Sequence, residues 1–406
     1  MVQGVERRMP AGRRQAVERA MSKPTVVVAG LGDTGVLVAT RLARSCQVVA
    51  VTTRPAQMSG QELGMRLSSP AAWARHYFVP LSRFRRLDGV DVRHGRVSGI
   101  DLVASTVSIE SADGSMSDVP YSALVIASGV SNGFWRSDRV EGADALARRV
   151  ADDAQLLEAA GVVAVVGGGA SGVSVAVNLA RSTRAEVHLF MAGAEPLPSH
   201  HPAARRWITR ALLRHGVIVH AGHRAVLPGG AVPDHITSGS IEWLSGQTPF
   251  EADAVVWAVG AVRPHTGFLP GDVLDDDGFV RVDRHLQVPG HPTVFAVGDV
   301  AASDPLRSSA RNWGHRVVVG NVRAVLRGRH PRRVFTAPTR RWGSVLGLQP
   351  EGLTVVSPHG RRFRVPRRVA EVLLFRLFVD RILYRGIRRG TVPGDRGSGS
   401  GIRPQQ

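Results

Sequence analysis

The sequence is poor in cysteine, lysine, aromatic residues and long apolar runs, and the shortages of cysteine and of apolar runs each exclude a class of function. Its 406 residues include one cysteine, Cys46, one lysine, Lys23, and 5% aromatic residues. A lone cysteine cannot form an internal disulfide, which agrees with a reducing cytoplasm and excludes chemistry that needs a redox-active cysteine pair within the chain. No apolar run approaches the roughly eighteen residues of a membrane-spanning helix.

The charge is strongly positive, +19, and almost all of it comes from arginine. Such a charge favours an anionic partner: nucleic acid, a membrane surface or a phosphorylated cofactor, although codon usage alone could produce the bias. No helix-turn-helix, zinc-finger or RNP signature supports nucleic acid. Residues 1–21 predict a disordered basic tail without the apolar centre of a secretory signal, or untranslated sequence if Met21 is the start.

The stretch from Thr25 to Arg54 predicts a β-α-β unit that binds a dinucleotide. An apolar strand leads into a glycine-rich turn and then into a helix with apolar residues at helical spacing. In such a turn the first glycine allows the tight bend, the second lets the backbone approach a pyrophosphate, and the third lets the helix pack on the strand. The turn comprises Gly30, Gly32, Asp33, Thr34 and Gly35.

A second unit of the same kind follows about 137 residues later, from Gly161 to Ala192. Two copies, each directly after an apolar strand, make a chance match much weaker as an explanation. A glycine turn in an ordinary α/β protein is the alternative for either copy alone. The residues of the second turn are Gly167, Gly169, Ala170, Ser171 and Gly172.

Both units lack the acidic residue that usually ends the second strand and binds a ribose hydroxyl. The first has Thr52, Thr53 and Arg54 there, and the second has Met191. Threonine can bond a hydroxyl, though more weakly than a carboxylate. The sequence therefore leaves the choice between NADH and NADPH open.

Three further apolar strands end in glycine, where the backbone could approach a ligand closely. The first ends in Ala127, Ser128 and Gly129, and the second, Asp253 to Val262, contains Gly260. The third, Thr293 to Val300, contains Gly298 and Asp299. A carboxylate there can bind ligand hydroxyls. It can also form the N-cap of a helix from Val300 to Ala302, and the two roles could coexist.

Two other patterns suggest metal sites but have simpler explanations, and we predict no metal. His200 and His201 are adjacent and have no accompanying ligand cluster, so loop histidines are favoured. The run Asp275 to Gly278 lacks the alternating oxygen ligands of a calcium loop, so a turn between strands is favoured.

With these motifs in order, the chain resembles the FAD-dependent pyridine nucleotide oxidoreductases, most closely the type II NADH dehydrogenase and apoptosis-inducing-factor-like (ferroptosis suppressor) branch. The resemblance covers roughly residues 24–330. It implies an α/β fold with two Rossmann-like FAD/NAD(P)-binding domains, the second inserted in the first, and a basic C-terminal extension. The implied ranges are 22–135 and 265–330 for FAD, 136–264 for NAD(P)H, and 331–406 for a C-terminal membrane or interface region with a disordered end.

The resemblance also implies residue roles, written here with the numbers of this sequence. Gly30, Gly32 and Gly35 bind the FAD pyrophosphate, Thr52 or Thr53 the ribose, Val97 lies near the adenine, and Ser128 replaces the family's threonine. Gly167, Gly169 and Gly172 hold NADH or NADPH beside Gly260. Asp299 binds the ribityl chain of FAD, and Asn312, Trp313 and Gly314 lie near the isoalloxazine. Hydride transfer between the two cofactors needs no general acid or base, so we name no catalytic residue.

The electron acceptor is the open question, and the C-terminal region favours a quinone. Residues 361–390 hold ten arginines against two acids. On a helix, Val372, Phe375, Phe378, Val379 and Ile382 would form one apolar stripe, which suits an anionic membrane surface. The alternative is that the stripe docks on the protein's own body or in a homodimer.

The sequence thus predicts a cytoplasmic FAD-dependent NAD(P)H oxidoreductase that passes electrons to a quinone and is peripheral on the inner face of the membrane. One alternative is a ferredoxin- or rubredoxin-type reductase, for which the basic surface would attract an acidic partner. Another is a degenerate, non-catalytic cofactor-binding redox sensor.

Overall fold

The computed structural model describes residues 23–58, 63–131, 139–230, 232–260, 262–307, 313–339 and 343–388. The predicted basic tail, the predicted boundary between residues 135 and 136, Asn312, and the end of the chain lie outside these residues. No helix in the described part of the chain is both long enough and apolar enough to cross a membrane.

Strands and short helices alternate along the chain. The strands are β1 (Thr25–Ala29), β2 (Gln47–Thr52), β3 (Ala56–Met58), β4 (Phe78–Pro80), β5 (Asp91–Asp101), β6 (Thr106–Ser111), β7 (Met116–Pro120), β8 (Ala123–Ile126), β9 (Val130–Ser131), β10 (Val162–Val166), β11 (Glu186–Phe190), β12 (Ile218–His220), β13 (Thr237–Ile241), β14 (Phe250–Trp257), β15 (Arg263–Pro264), β16 (Val294–Ala296), β17 (Leu348–Gln349), β18 (Gly352–Val356) and β19 (Arg362–Val365). The helices are α1 (Asp33–Leu42), α2 (Leu63–Ser68), α3 (Pro70–Tyr77), α4 (Ala143–Ala159), α5 (Ala170–Ser182), α6 (Pro202–Arg214), α7 (Gly314–Val325) and α8 (Arg367–Val369), which continues as a π-helix (Ala370–Leu383). Short 3₁₀ turns cover Leu81–Arg83, Arg85–Leu87, Pro228–Gly230 and Gly271–Val273.

The first sheet has seven strands in the order β16, β8, β1, β2, β5, β6, β7. The pairs from β16 through β8, β1 and β2 to β5 are parallel, and β5, β6 and β7 form an antiparallel meander. The central strands are apolar without alternation because both faces of the sheet are covered. Val26 and Val28 belong to the core on one face, and Val27 belongs to the core on the other.

The second sheet has five strands in the order β12, β11, β10, β14, β13. Its first four strands are parallel, and β13 joins as an antiparallel edge strand. Each sheet therefore contains a β-α-β unit, β1-α1-β2 in the first and β10-α5-β11 in the second. In each unit the glycine turn lies between the first strand and the helix. The α/β expectation with parallel sheets is confirmed.

A direct contact joins α2, which follows the first β-α-β unit in the sequence, to α5, the helix of the second unit. Helix α2 packs on α5 so closely that a Cβ on Gly64 would lie 2.3 Å from the Ser174 carbonyl oxygen. The loop before β17 adds to this contact, since Asn178 Nδ2 donates to the Leu346 carbonyl at 3.1 Å. Glycine at position 64 is therefore required by the close approach of two backbones.

The C-terminal helix corrects the expectation of one continuous apolar stripe. Phe375 is buried and contacts the ring of Tyr77 edge-on, with the ring centroids 5.6 Å apart, and Val379 packs against the same core. Val372, Phe378 and Ile382 instead point outward, with 52%, 38% and 57% of their surfaces exposed. The prediction assumed α-helical spacing, whereas the wider π-helical turn places these residues on two different faces.

Candidate nucleotide-binding sites

The first glycine turn is built by direct backbone contacts. Gly30 has φ of +105°, and a Cβ there would lie 2.4 Å from the Ala127 carbonyl oxygen at the end of β8. A Cβ on Gly35 would lie 1.9 Å from the Gly30 carbonyl oxygen, so helix α1 rests on the turn itself. Gly32 faces open space, with nothing within 4 Å of its would-be Cβ. Gly32 immediately precedes α1, so this open space adjoins the start of a helix, where an anion is favoured.

The second turn repeats this geometry contact for contact. Gly167 has φ of +132°, and its Cβ would lie 2.3 Å from the Ala258 carbonyl oxygen at the end of β14. A Cβ on Gly172 would lie 1.9 Å from the Gly167 carbonyl oxygen, and Gly169 faces open space. We call these turns the first and second cradle because each has the backbone geometry of a phosphate-binding glycine turn.

A cavity of about 740 Å³ opens over the first turn. This volume lies within the range of small-molecule sites. Nine of the residues predicted from the sequence line it: Gly30, Gly32, Asp33, Thr52, Thr53, Arg54, Val97, Ser128 and Asp299. These residues come from the ends of β1, β2 and β8, from β5 and from the turn after β16, so the first sheet brings together residues up to 269 positions apart in the sequence.

Thr52, Thr53 and Arg54, which stand where the strand-end acid is usual, form hydrogen bonds and an ion pair in this structure. The Thr52 hydroxyl donates to the Arg54 carbonyl at 2.9 Å and accepts from the Arg54 amide at 3.3 Å. Arg54 Nε lies 3.5 Å from Glu141 Oε2, and the Thr53 carbonyl accepts from the Glu141 amide at 2.9 Å. The local turn therefore uses the Thr52 hydroxyl, and Glu141 supplies a carboxylate close to the end of β2.

The end of β8 is held by His265, a residue that no sequence motif indicated. Ser128 Oγ donates to the His265 carbonyl at 2.7 Å, and the His265 amide donates to the Gly129 carbonyl at 3.1 Å. The His265 ring lies between the Ser128 carbonyl, at 3.0 Å from Nδ1, and Ser131 Oγ, at 2.6 Å from Nε2. The predicted Ser128-Gly129 segment is thereby held at the cavity wall.

Asp299 stands opposite the first turn. It is 8% exposed, lines the cavity, and its carbonyl accepts from Arg307 Nη1 at 3.1 Å. The preceding Gly298 has φ of +87° and lies against Thr34, which is buried in the first turn of α1. No helix begins at Val300, so the predicted N-cap role of Asp299 is wrong, whereas Asp299 is among the residues that line the cavity.

The cavity wall carries more positive charge than the motifs predicted. Arg66, Arg96 and Arg139 line it together with Arg54. Arg66 is 3% exposed, and burial, followed by the nearby Arg149, lowers its pKa to about 10, so it stays protonated at neutral pH. A buried cation beside the cavity favours an anionic ligand. Arg66 lies in an ordinary amphipathic stretch, so its role was not visible in the sequence.

Met191 ends β11 beside the second turn and is 4% exposed. Its side chain packs under the turn, since a Cβ on Gly168 would lie 2.8 Å from the Met191 Cβ. Its amide donates to the His220 carbonyl at 2.9 Å, and its carbonyl accepts from the His223 amide at 2.9 Å.

Gly260, with φ of +107°, follows β14 and lies against Val232. Ala170 and Ser171 form the first turn of α5.

Trp313 lies directly before α7, but it is not among the residues that line the 740 Å³ cavity. It has φ of +61°, is 40% exposed, and the Arg316 guanidinium lies 4.0 Å from its ring centroid. His315, one residue into α7, is fully buried, and neither ring nitrogen has a hydrogen-bond partner among the described residues. Burial, followed by Arg41 and Arg316, lowers the pKa of His315 to about 3.

The two sequence patterns that suggested metal sites, at His200-His201 and at Asp275 to Gly278, form a helix cap and a turn. His201 caps α6, its Nδ1 accepting from the Ala203 amide at 3.2 Å. Asp275 Oδ1 accepts from the amides of Asp277 and Phe279, which closes a turn at Gly278 with φ of +81°. In the described part of the chain, no group of three or more His, Cys, Asp or Glu side chains is arranged to hold a metal ion.

Two parallel sheets with matching glycine cradles define a protein that binds two nucleotides. A comparison with known families identifies it further: residues 10–319 match the pyridine nucleotide-disulphide oxidoreductase family. The chain belongs to this family. It is therefore an oxidoreductase that acts on NAD(P)H with FAD, and these sequence expectations are confirmed.

Individual relatives agree with the branch that the motifs indicated. Ferroptosis suppressor protein 1 of Xenopus laevis is 24% identical over 327 residues, 78% of this chain and 84% of that protein. Type II NADH:quinone oxidoreductase Ndh of Mycobacterium tuberculosis is 25% identical over 352 residues, 75% of this chain and 73% of that one. The solved complex of putidaredoxin reductase with putidaredoxin has a chain of the same fold, with a TM-score of 0.61 at 19% identity over 84% of this chain and 88% of that one.

The residues present suit FAD. Gly32 faces open space directly before α1, the cavity is of cofactor size, and Asp299 is among the residues that line it. Arg54 and Arg66 supply positive charge at the wall. Gly169 in the second cradle faces the same open space as Gly32 in the first.

Proposed function

We propose that the protein is an FAD-dependent NAD(P)H oxidoreductase that passes electrons to a quinone-type acceptor. The observation that carries the proposal is the pair of matching cradles, one below a cavity of about 740 Å³, in a chain with a single buried cysteine. With Cys46 only 4% exposed and no second cysteine in the sequence, the chain cannot relay electrons through a thiol pair.

The chain's own residues bind and align the two cofactors. FAD bound with NAD(P)H supplies hydride transfer from the nicotinamide to the flavin. Gly30, Gly32 and the amides of α1 would hold the FAD pyrophosphate, with Asp299 at the ribityl hydroxyls. Gly167, Gly169 and the amides of α5 would hold the pyrophosphate of the nicotinamide nucleotide. Alignment and exclusion of water are then the protein's contribution to the rate.

The remaining site assignments and the domain ranges belong to this proposal. We assign Val97 to the adenine end, Thr52 and Thr53 to the adenosine ribose, and Trp313 to the flavin end. The FAD domain comprises 22–135 and 265–330, with the NAD(P)H domain of 136–264 inserted between them. Strand order supports this division, since all strands of the second sheet fall between β9 and β15 in the sequence.

We further propose that the protein contacts the membrane peripherally through residues 361–390, where a lipid-soluble quinone is available. The exposed apolar side chains and the arginines of the C-terminal helix support this assignment. A reductase for an acidic iron-sulfur protein is the second candidate, because an arginine-rich surface also steers an acidic protein partner.

The test is an anaerobic titration of the purified flavoprotein with NADH and, separately, with NADPH while the flavin absorption is followed. We expect one nucleotide to bleach the flavin and menadione to restore the absorption. Failure to bleach with either nucleotide would refute the oxidoreductase mechanism. Reduction of an acidic ferredoxin that weakens with salt, without any response to quinones, would select the second candidate. A colourless protein that takes up no FAD would indicate the degenerate sensor.

A further inference from the structure

A groove of about 1290 Å³ separates the C-terminal helix from the segment between α3 and β5. Its base is tied together by backbone contacts: the Arg85 amide donates to the Gly386 carbonyl at 3.3 Å, and the Arg388 amide donates to the Arg83 carbonyl at 2.8 Å. Phe84 and Tyr384 pack edge-on beneath it, with ring centroids 5.1 Å apart. The groove is therefore a built feature of the fold and lies apart from the cavity over the first cradle.

The wall of the groove is strongly cationic. Asp380 is the acidic residue among the side chains that line it, and burial raises the pKa of this carboxyl. Six arginines line the same groove: Arg75, Arg83, Arg85, Arg376, Arg381 and Arg388.

Most of these arginines are available to a ligand. Arg388 pairs with Asp88, and Arg83 Nε donates to the Arg388 carbonyl at 2.8 Å. The other four are exposed, and none of them forms an ion pair with an acidic side chain in the part of the chain that the structure describes. A fork of free guanidinium groups suits a phosphate, which accepts paired hydrogen bonds from arginine.

An apolar surface adjoins this cationic wall. Val372 and Leu377 line the groove and are 52% and 43% exposed. Leu373, Phe378 and Ile382 extend the apolar surface along the same helix, with 54%, 38% and 57% exposed. Exposed apolar side chains grouped beside arginines are typical of helices that lie in the membrane interface.

We propose that this groove binds the phosphate headgroup of an anionic phospholipid while the exposed apolar residues of the C-terminal helix enter the acyl region. The inference rests on the proposed membrane contact and assigns it a binding site and a lipid class. Charge complementarity selects the occupant, since a zwitterionic surface offers no net attraction to the groove's arginines. The apolar surface selects a bilayer rather than a soluble acidic protein.

The experiment measures sedimentation of full-length holoprotein with vesicles of pure phosphatidylcholine and with vesicles that contain phosphatidylglycerol. We expect binding only to the anionic vesicles. Each arginine near an anionic surface contributes about a fivefold change in partitioning. The Arg376→Gln/Arg381→Gln variant should therefore bind about 25-fold more weakly. The matched control is Arg210→Gln/Arg214→Gln, which removes the same charge from exposed positions on α6.

NADH or NADPH oxidation with menadione in the absence of vesicles provides a separate readout. The groove variant should keep this activity, which also shows that it is folded and loaded with FAD. Equal loss of vesicle binding in the groove variant and the control would overturn the inference in favour of net charge alone. Binding of the groove variant at the wild-type level would also overturn it. Failure of the wild type to bind anionic vesicles would remove the membrane contact itself, whereas loss of menadione reduction would affect only the redox proposal.

Discussion

The contact between Gly35 and Gly30 allows the first cradle to be tested for packing and for binding separately. In Gly35→Ala the new methyl carbon would lie 1.9 Å from the Gly30 carbonyl oxygen, and ordinary contact begins at 3.4 Å. The backbone must therefore separate by about 1.5 Å, because both partners are backbone and neither can rotate away. Overpacking of this kind costs about 1–3 kcal/mol of folding free energy.

Gly32→Ala is the matched variant. Gly32 has φ of −70°, which any residue adopts, and its Cβ would meet nothing within 4 Å. Its methyl would instead occupy the open space above the amides of α1, where we place the pyrophosphate. Folding stability should stay unchanged while FAD affinity falls by about tenfold or more, which corresponds to about 1.4 kcal/mol.

The assay combines thermal unfolding of the apoprotein with titration of FAD into it. Gly35→Ala should lower the melting temperature by about 1 °C for each kcal/mol lost, because the unfolding entropy of about 2.1 cal/mol/K per residue is summed over a chain of 406 residues. It should also weaken FAD binding, whereas Gly32→Ala should change only the binding. If Gly32→Ala binds FAD as tightly as the wild type, the first turn does not hold the pyrophosphate, and the reasoning from backbone geometry fails.

Three further predictions follow from the second cradle, Asp299 and His315. Gly172→Ala, whose Cβ would lie 1.9 Å from the Gly167 carbonyl oxygen, should raise KM for the nicotinamide nucleotide at least tenfold, with FAD content unchanged in absorption spectra. Asp299→Asn should weaken FAD binding by about 10- to 100-fold, the range for a hydrogen bond to a charged group, and FAD titration would contradict this if affinity stayed constant. His315, with its pKa lowered to about 3, stays neutral in the folded protein, while the unfolded chain takes up a proton below pH 6.5. Stability should therefore fall with pH between about 6.5 and 3, by about 2 kcal/mol at pH 5, and urea unfolding of His315→Leu should lack this contribution.

The sequence predicted those parts of the fold that depend on local backbone geometry. Gly30 and Gly167 could be placed because a tight turn after a buried strand needs glycine, and both have positive φ.

Residues that act through distant neighbours could not be predicted. His265 contacts Ser128 and Ser131 across more than 130 positions of sequence, and Arg66 becomes buried only because α2 packs against another part of the chain. The prediction of one apolar stripe on the C-terminal helix was wrong for a related reason. Its apolar spacing was interpreted with an α-helical period, and the π-helix that forms there divides Phe375 from Phe378.

The close approach of Gly64 to Ser174 bears on how the protein can move during turnover. The contact joins a helix beside the FAD cavity to the helix that begins at the second cradle, with backbone against backbone. Rotation of one sheet relative to the other would have to break this helix-helix contact. The contact therefore keeps the two cradles at a constant separation. A larger residue at position 64 would push α2 away from α5 and change the separation of the two glycine turns.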